Sequence, residues 1–254
     1  MPPATPLSAT IATTAVAVLA LAGCGQDTPP SLTSAPPSVP MTTATPSATT
    51  TAPPAPDAHG YTITSITSPG SQPGKSVTIP QLSGGDPAVT ARFNAAMRAS
   101  RADMPEQSAT MSVDDGEIDG FRSGVTRIGS GVVAGRIVLL WYGKGAAHPN
   151  QSLGTVVIAT RTATPVTVND LYLDHAAALT RLRTLLPQLD TSGRLNEQWL
   201  SGDDIAANWL PTPSGLQVYV PVAHAMGDYV PVTVPWDQIA GLLRPGMLEV
   251  LRAD

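Results

Sequence analysis

The sequence is poor in cysteine and in basic residues, and each shortage excludes a class of protein. Cys24 is the only cysteine among the 254 residues, which excludes an internal disulfide and a multi-cysteine metal site. The net charge is -5, and the 14 basic residues form no tract. Nucleic-acid binding is therefore not expected, because a clustered Lys/Arg surface supplies most of that affinity. The same shortage argues against electrostatic binding to anionic lipid.

Basic and aromatic residues are absent from the first part of the chain. The first aromatic residue is Tyr61 and the first basic residue is Lys75. The side chains that build cores and binding sites therefore begin near residue 60. We expect a single domain over residues 58–254, which is long enough to bury a hydrophobic core.

The first 23 residues have the pattern of a lipoprotein signal peptide. Residues 11–22 read IATTAVAVLALA; this run has the length of a signal-peptide core and is shorter than the roughly 20 residues that span a bilayer. Leu21, Ala22 and Gly23 then precede Cys24 in the lipobox pattern of bacterial lipoproteins. We predict a signal peptide over residues 1–23, cleavage before Cys24 and lipidation of that cysteine. The alternative is an ordinary secretory signal with a chance cysteine.

Residues 24–57 are predicted to form a lipidated linker rich in proline, threonine and serine. Such a composition offers little apolar surface to bury and cannot offset the entropy of ordering. The linker would reach about 100 Å if fully extended and nearer 30 Å as a flexible coil. Two or more acyl chains, palmitate among them, hold a protein stably at a membrane. We therefore expect the protein on the outer face of the cell membrane.

Hydrophobic patterns in the domain predict both helices and strands. Asp86 followed by Pro87 is typical of a helix start and predicts a helix to about Arg101. Asp174 predicts a second helix over residues 175–186. Strand patterns occur at residues 61–67, 76–80, 120–142 (two strands), 154–161, 216–221 and 230–234. Consecutive strands without intervening helices pair antiparallel, so we predict an α+β fold, a curved antiparallel sheet with helices packed on it. The first strand is expected to be half-buried, with Tyr61, Ile63 and Ile66 on one side.

Three segments, in this order, carry a resemblance to a known family. They read IPQLSGGDPAVTARFNAAM at 79–97, WYGKGAAHPNQSLGTVVIATRTATPVTVNDLYLD at 141–174, and LQVYVPVAHAMGDYVPVTVPWDQI at 216–239. The most specific piece is GAAHPN at 145–150, followed by a strand and a VNDLY segment. Together these segments resemble the extracellular domain of the anti-sigma factor RsiV. This domain of unknown function also occurs in secreted mycobacterial immunogenic proteins and beside some peptidoglycan deacetylases.

The resemblance covers most of residues 60–245 and implies an α+β domain that faces the cell envelope. In RsiV itself this domain binds lysozyme, so a lysozyme-like partner is one candidate. The chain departs from RsiV in having a lipid anchor and no cytoplasmic sigma-binding segment, which argues against sigma-factor regulation. The family supplies no catalytic residues that could be carried over.

Four residues are candidates for a binding site. His148 and Asn150 belong to a loop of Gly, Ala, Pro and Asn at a strand end, where functional groups often lie. The alternative, which the residues favour because the sequence shows no partner for this histidine, is a structural turn in which Gly143 and Gly145 permit unusual dihedral angles and His148 caps backbone groups. Trp199 and Trp209 flank a polar segment and are expected to be exposed, where they could stack on a sugar or anchor a protein partner.

Metal, cofactor and catalytic patterns are weak. The acidic run DDGEID at 114–119 does not fit the spacing of an EF-hand calcium loop, so no metal is expected. No phosphate loop or dinucleotide fingerprint occurs, so no cofactor is expected. The G-x-S-x-G motif of serine hydrolases is also absent, and no catalytic residue is assigned. A triad that uses His148 or His224 stays open as an alternative.

Three functional hypotheses follow from these observations. The first is a lipid-anchored, monomeric binding module of the cell envelope that recognises a wall-associated protein or glycan. The second is an envelope esterase or other hydrolase. The third is a carrier of a small apolar ligand in a cavity between sheet and helices.

Overall fold

The structure is a computed structural model and describes residues 59–71 and 76–254. The predicted signal peptide, the predicted linker and Cys24, the predicted lipidation site, lie outside the described residues. No helix in the described ranges is long and apolar enough to cross a membrane.

Short strands dominate the described part of the chain. The strands are β1 Tyr61–Pro69, β2 Ser76–Gly84, β3 Met111–Asp115, β4 Glu117–Ile118, β5 Phe121–Arg122, β6 Gly124–Ile128, β7 Val132–Gly143, β8 Asn150–Ala159, β9 Thr164–Pro165, β10 Trp209–Pro211, β11 Gly215–Pro221 and β12 Tyr229–Pro235. The α-helices are α1 Pro87–Ala102, α2 Val168–Leu171, α3 His175–Leu189, α4 Trp236–Ile239 and α5 Met247–Arg252. Three 3-10 turns cover Glu197–Leu200, His224–Met226 and Ala240–Leu242.

The strand pairings confirm the predicted α+β class with antiparallel pairing. The pairs β1–β2, β4–β5, β10–β11 and β11–β12 are antiparallel, as are all pairs of the five-stranded sheet. The described strands form four sheets, of two, three, five and two strands, in place of the one curved sheet that we expected. In the largest sheet β8 lies on one edge of β7, and β3 and β6 share the other edge.

Strand β7 lies between two hydrophobic clusters, because its side chains alternate in direction. Val132 and Val138 belong to a cluster with α3 and the three-stranded sheet. Val133 and Leu139 belong to a second cluster, with α1 and the β1–β2 hairpin. All four of these side chains are fully buried. The core therefore covers both faces of this one strand.

Helix α1 begins as predicted. The Asp86 carboxylate accepts hydrogen bonds from the backbone N–H groups of Ala88 at 2.8 Å and Val89 at 3.0 Å. This satisfies two of the amides that a helix start leaves without partners. Val89, Phe93 and Met97 lie on one face of the helix and are fully buried.

Helix α3 also agrees with the prediction at its start. The Asp174 carboxylate accepts a hydrogen bond from the Ala177 N–H at 3.0 Å. The helix continues three residues beyond the predicted end. Four apolar side chains at helical spacing are buried against the core: Ala178, Leu179, Leu182 and Leu185.

The acidic run at 114–119 lies largely in strands β3 and β4. Asp114 and Asp115 end β3, which pairs with β7. The Asp114 carboxylate accepts hydrogen bonds from the N–H and hydroxyl of Ser71. The Asp115 carboxylate accepts from the N–H of Thr78 at 2.8 Å and from its hydroxyl at 2.7 Å. These two carboxylates hold the β1–β2 hairpin against β3.

Strand β1 exists, but the expected burial of its isoleucines was wrong. Ile63 is 45% exposed and Ile66 is 43% exposed, whereas Tyr61 is buried. Residues three apart on a strand point to opposite faces, so these two isoleucines cannot share a buried side. The two-stranded sheet buries β2 instead, whose Val77, Ile79 and Leu82 contribute to the core.

Candidate functional site

Two histidines that are far apart in the sequence meet at the surface. His148 lies in the turn between β7 and β8, and His224 begins the 3-10 turn between β11 and β12. Their ring centroids are 3.7 Å apart and their planes differ by only 5°. His148 is exposed and His224 is partly buried. The sequence shows no partner for His148, and the structure adds His224 as its stacking partner.

The turn that carries His148 is shaped by local hydrogen bonds. The Ala146 N–H donates to the Gly143 carbonyl at 2.9 Å, and the Tyr142 hydroxyl donates to the Ala146 carbonyl at 2.8 Å. Gly145 has a φ of +89°, which glycine adopts without the steric cost that a side chain would bring. These contacts set the direction in which the turn presents its histidine.

The turn that carries His224 is held by a neighbouring arginine. Arg194 donates through Nη1 to the Met226 carbonyl at 2.9 Å. The next two residues, Gly227 and Asp228, have φ values of +104° and +65°. Aspartate is among the few non-glycine residues that adopt this left-handed region readily. The backbone therefore turns back and aims the Asp228 carboxylate towards the histidines.

Asp228 joins the two loops. One carboxylate oxygen, Oδ2, lies 2.9 Å from the Gln151 N–H, which donates to it. The same oxygen lies 3.1 Å from Nδ1 of His224. The Asp228 side chain is only 12% exposed. The sequence signal for Asp228 is a Gly-Asp pair whose aspartate follows His224 by four positions. No local pattern indicates which backbone amide donates to the Asp228 carboxylate.

The hydrogen bonds of the two imidazoles define which nitrogen is available. Nδ1 of His148 lies 3.1 Å from the Pro149 carbonyl, and Nδ1 of His224 lies beside the Asp228 carboxylate. Both partners can only accept, so both rings donate from Nδ1. In its neutral form each ring then presents an unprotonated Nε2, which can accept a hydrogen bond from a ligand.

Metal binding does not suit this arrangement. A zinc ion lies about 2.0–2.1 Å from a histidine nitrogen and close to the plane of its ring. Two stacked, parallel rings direct their lone pairs along separate planes, so one ion cannot meet both. Among residues 59–71 and 76–254, no group of three or more His, Cys, Asp or Glu side chains is placed to hold a metal ion.

The histidine pair contains two parts of a hydrolase triad. His224 with Asp228 resembles the base and its orienting acid. In the described ranges, however, no hydroxyl group forms a hydrogen bond with either imidazole, whose partners are Pro149 and Asp228. A nucleophilic hydroxyl would need to lie within about 2.6–3.2 Å of the base. The described residues therefore supply a base and an orienting acid here, but no hydroxyl within hydrogen-bond distance of the base.

The other candidate residues, Asn150, Trp199 and Trp209, differ in location and in burial. Asn150 is the first residue of β8, pairs with Trp141 in the sheet and follows His148 by two positions. Trp209 was expected to be exposed, and this was wrong: it is 3% exposed and belongs to the core. Trp199 is partly buried, and its indole N–H is buried without a partner in the described part of the chain. The two tryptophans therefore do not form an exposed platform.

Tyr229 follows Asp228 and remains protonated. Burial raises the pKa of Tyr229, and the nearby carboxylates of Asp228 and Asp204 raise it further. The phenol is thus a neutral group at physiological pH, next to the histidine pair in sequence.

Comparisons with known proteins give a likeness in structure only. No family model and no curated protein sequence matches this chain. Solved structures of low sequence identity are similar, among them two DUF3298 family proteins. A DUF3298 family protein from Pseudomonas aeruginosa has a TM-score of 0.46 and 13% identity, and the match covers 78% of this chain and 99% of that one. A member of the DUF3298 family from Bacteroides fragilis has a TM-score of 0.49 and 12% identity, with 78% and 98% covered. Their family is named for a domain of unknown function.

Proposed function

We propose that the protein is a lipid-anchored binding module of the cell envelope that recognises a wall-associated protein or glycan through the surface around His148 and His224. One observation carries this proposal. The histidine stack, which is exposed at His148, joins two loops from separate sheets and holds no hydrogen-bonded nucleophile and no metal-ligand set in the part of the chain that the structure describes.

The stack has the properties of a recognition surface. Stacked imidazoles offer a flat aromatic face beside two nitrogen acceptors, which suits both sugar rings and protein side chains. The loops are already ordered by Asp228, which bridges Gln151 and His224. A surface that is ordered before binding loses less conformational entropy when the partner arrives. Binding loops on a rigid scaffold are also where recognition commonly occurs.

The proposed anchor and linker define where this surface would work. Lipid on Cys24 would hold the chain at the outer face of the membrane, and residues 25–57 would let the domain reach partners within the wall. The net charge of -5 favours a partner with a basic surface, since complementary charge accelerates encounter. A lysozyme-like protein, which the resemblance to RsiV suggests, is the first candidate.

Direct binding measurements test the proposal. The full-length chain carrying Cys24→Ser, which removes the attachment point, is titrated against lysozyme and against soluble peptidoglycan fragments. We expect one of these to bind, and His148→Ala and His224→Ala each to weaken that binding by about ten-fold, as loss of a central contact does. His59→Ala serves as the matched control and is expected to bind as the unsubstituted chain does. No binding to either partner by folded protein, or equal binding by all variants, would contradict the proposal.

A hydrolase is the second candidate, because the Asp228–His224 pair has the form of an orienting acid and a base. Turnover of p-nitrophenyl butyrate distinguishes the two functions. Turnover that is lost in both His224→Ala and Asp228→Asn would support the hydrolase. Turnover that is absent, or unchanged in these variants, would remove the pair from catalysis and leave the binding function.

A further inference from the structure

A cleft of about 600 Å³ lies between the β1–β2 hairpin and the C-terminal half of α1. Its size falls within the range of small-molecule sites, about 300–1,000 Å³. Apolar side chains from both elements line it, among them Ile66, Ile79 and Ala102. Ile66 is 43% exposed and Ile79 is buried, so the cleft presents an apolar wall that continues from the core to the surface.

The cleft contains a buried cation without a counter-ion. Arg101 lines it and is only 8% exposed. Its Nη1 donates to the Pro105 carbonyl at 3.1 Å, while its Nε is buried without a partner. In the described ranges no carboxylate lies within ion-pair distance of this guanidinium. A buried charge is costly unless an opposite charge compensates it, so an anion bound in the cleft would stabilise this guanidinium.

Further polar groups surround the same place. Ser68 also lines the cleft, and its hydroxyl is buried without a partner in the described ranges. Arg98 lies one helical turn before Arg101, is exposed, and donates to the buried Gln81 side chain at 2.8 Å. Glu106 is the one acidic residue among those lining the cleft and forms no ion pair with either arginine. The cleft thus carries a positive charge in a chain that is acidic overall.

We infer that this cleft binds a small amphiphile with a single anionic head group. The head group accepts hydrogen bonds from the unpartnered Nε side of Arg101, with the Ser68 hydroxyl and Arg98 beside it. A carboxylate or a phosphate matches a guanidinium through two parallel hydrogen bonds. The apolar body lies against Ile66 and Ile79 and covers the exposed isoleucine. This site is separate from the histidine surface. It assigns the hypothesis of a small-ligand carrier to this cleft and adds that the ligand has an anionic head group.

Calorimetric titration of the full-length Cys24→Ser chain tests the inference. The probes are dodecanoate and dodecyl phosphate, which distinguish a carboxylate from a phosphate, and dodecanol as the uncharged match. We expect one molecule of at least one anion to bind per chain, and dodecanol to bind about ten-fold more weakly or less. Arg101→Met should weaken anion binding by about ten-fold, the value of one charge-assisted contact. Arg92→Met, on the same helix but outside the cleft, is the matched control and should leave binding unchanged.

A second variant keeps the test decisive if Arg101→Met does not fold. Ile66 is exposed, so Ile66→Asp should fold, and its carboxylate would occupy the cleft and abolish anion binding. The inference is overturned if neither anion binds, if dodecanol binds as well as the anions, or if folded Ile66→Asp and Arg98→Met both bind like the unsubstituted chain. Each of these results is independent of lysozyme or peptidoglycan binding by the histidine surface.

Discussion

The Asp228 carboxylate accepts a hydrogen bond from the Gln151 N–H at 2.9 Å across 77 positions of sequence. The contact connects the start of β8 to the turn before β12 and therefore fixes the spacing of the loops that carry the two histidines. Four consequences of this and other contacts can be measured.

Replacing Asp228 should destabilise the domain in a graded way. Asp228→Ala removes the acceptor for Gln151 and His224 and leaves an alanine at a φ of +65°. We expect the free energy of unfolding to fall by about 1–3 kcal/mol, the cost of an unsatisfied amide. Asp228→Asn keeps an acceptor and tolerates the left-handed backbone, so it should lose less than half as much. Urea denaturation of both variants measures the difference; equal losses would show that the acceptor is unimportant.

Gly227→Ala should destabilise the same turn for a steric reason. The glycine has a φ of +104°, and a Cβ there would lie 2.9 Å from Nη1 of Arg194. The left-handed backbone alone costs an alanine about 1–2 kcal/mol. Gly241→Ala is the matched control, because no atom lies within 4 Å of its added Cβ. Thermal unfolding should show a lower midpoint for Gly227→Ala and an unchanged or higher one for Gly241→Ala; the reverse order would contradict this explanation.

Arg127 should matter far more than its ion-pair partner. Its Nη2 donates to the carbonyls of Arg252 and Ala253, both at 3.0 Å, and pairs with Asp254 at 2.7 Å. The arginine side chain is 7% exposed and the aspartate side chain 92%. Arg127→Ala should cost about 2–3 kcal/mol of unfolding free energy, as lost hydrogen bonds to a charged group do. Asp254→Ala should cost less than about 0.5 kcal/mol. Denaturant titration measures the unfolding free energy of both variants. Similar losses of unfolding free energy would show that the stabilisation comes from the ion pair with Asp254, and would contradict this prediction.

Acid should remove a small part of the stability through Asp170. Hydrogen bonds from the side chain and then the backbone of Thr167 lower the pKa of Asp170 below 3.8. A group whose pKa is lowered by folding stabilises the fold above its unfolded pKa and loses that contribution as pH falls through its folded pKa. Asp170→Asn should therefore cost about 0.5–1 kcal/mol at pH 7, the value of a helix cap, and a smaller amount at pH 2, where protonation of the carboxyl group has begun to remove its contribution. Urea unfolding at the two pH values measures this, and a cost that does not change with pH would refute it.

Much of the fold was predictable from local patterns. Asp86 before Pro87 located the start of α1, and Asp174 located that of α3, because capping depends on residues within one turn. Burial of Leu179, Leu182 and Leu185 followed from helical periodicity. Strand β3 was missed because Asp114 and Asp115 are uncommon in strands. Their carboxylates are satisfied by the β1–β2 hairpin, and that contact has no local signal.

The candidate site was predictable residue by residue but not as a constellation. His148 was a candidate because its loop lies at a strand end, and His224 was a candidate because a histidine can serve as the base of a catalytic triad. Their stacking depends on how two sheets are placed, which periodicity does not encode. The burial of Trp209 was missed for the same reason: the polar neighbours at 201–204 suggested exposure, whereas pairing with β11 draws the indole into the core.

The burial of β7 on both faces has a consequence for how the domain comes apart. If either hydrophobic cluster opens, one side of this strand meets water, and the packing that supports the other cluster is weakened. The two clusters should therefore melt in a single transition with no stable half-folded form, as small cooperative domains do. The backbone amides of Val133 to Leu139 should be the last to exchange their hydrogens with solvent, because only global unfolding exposes them.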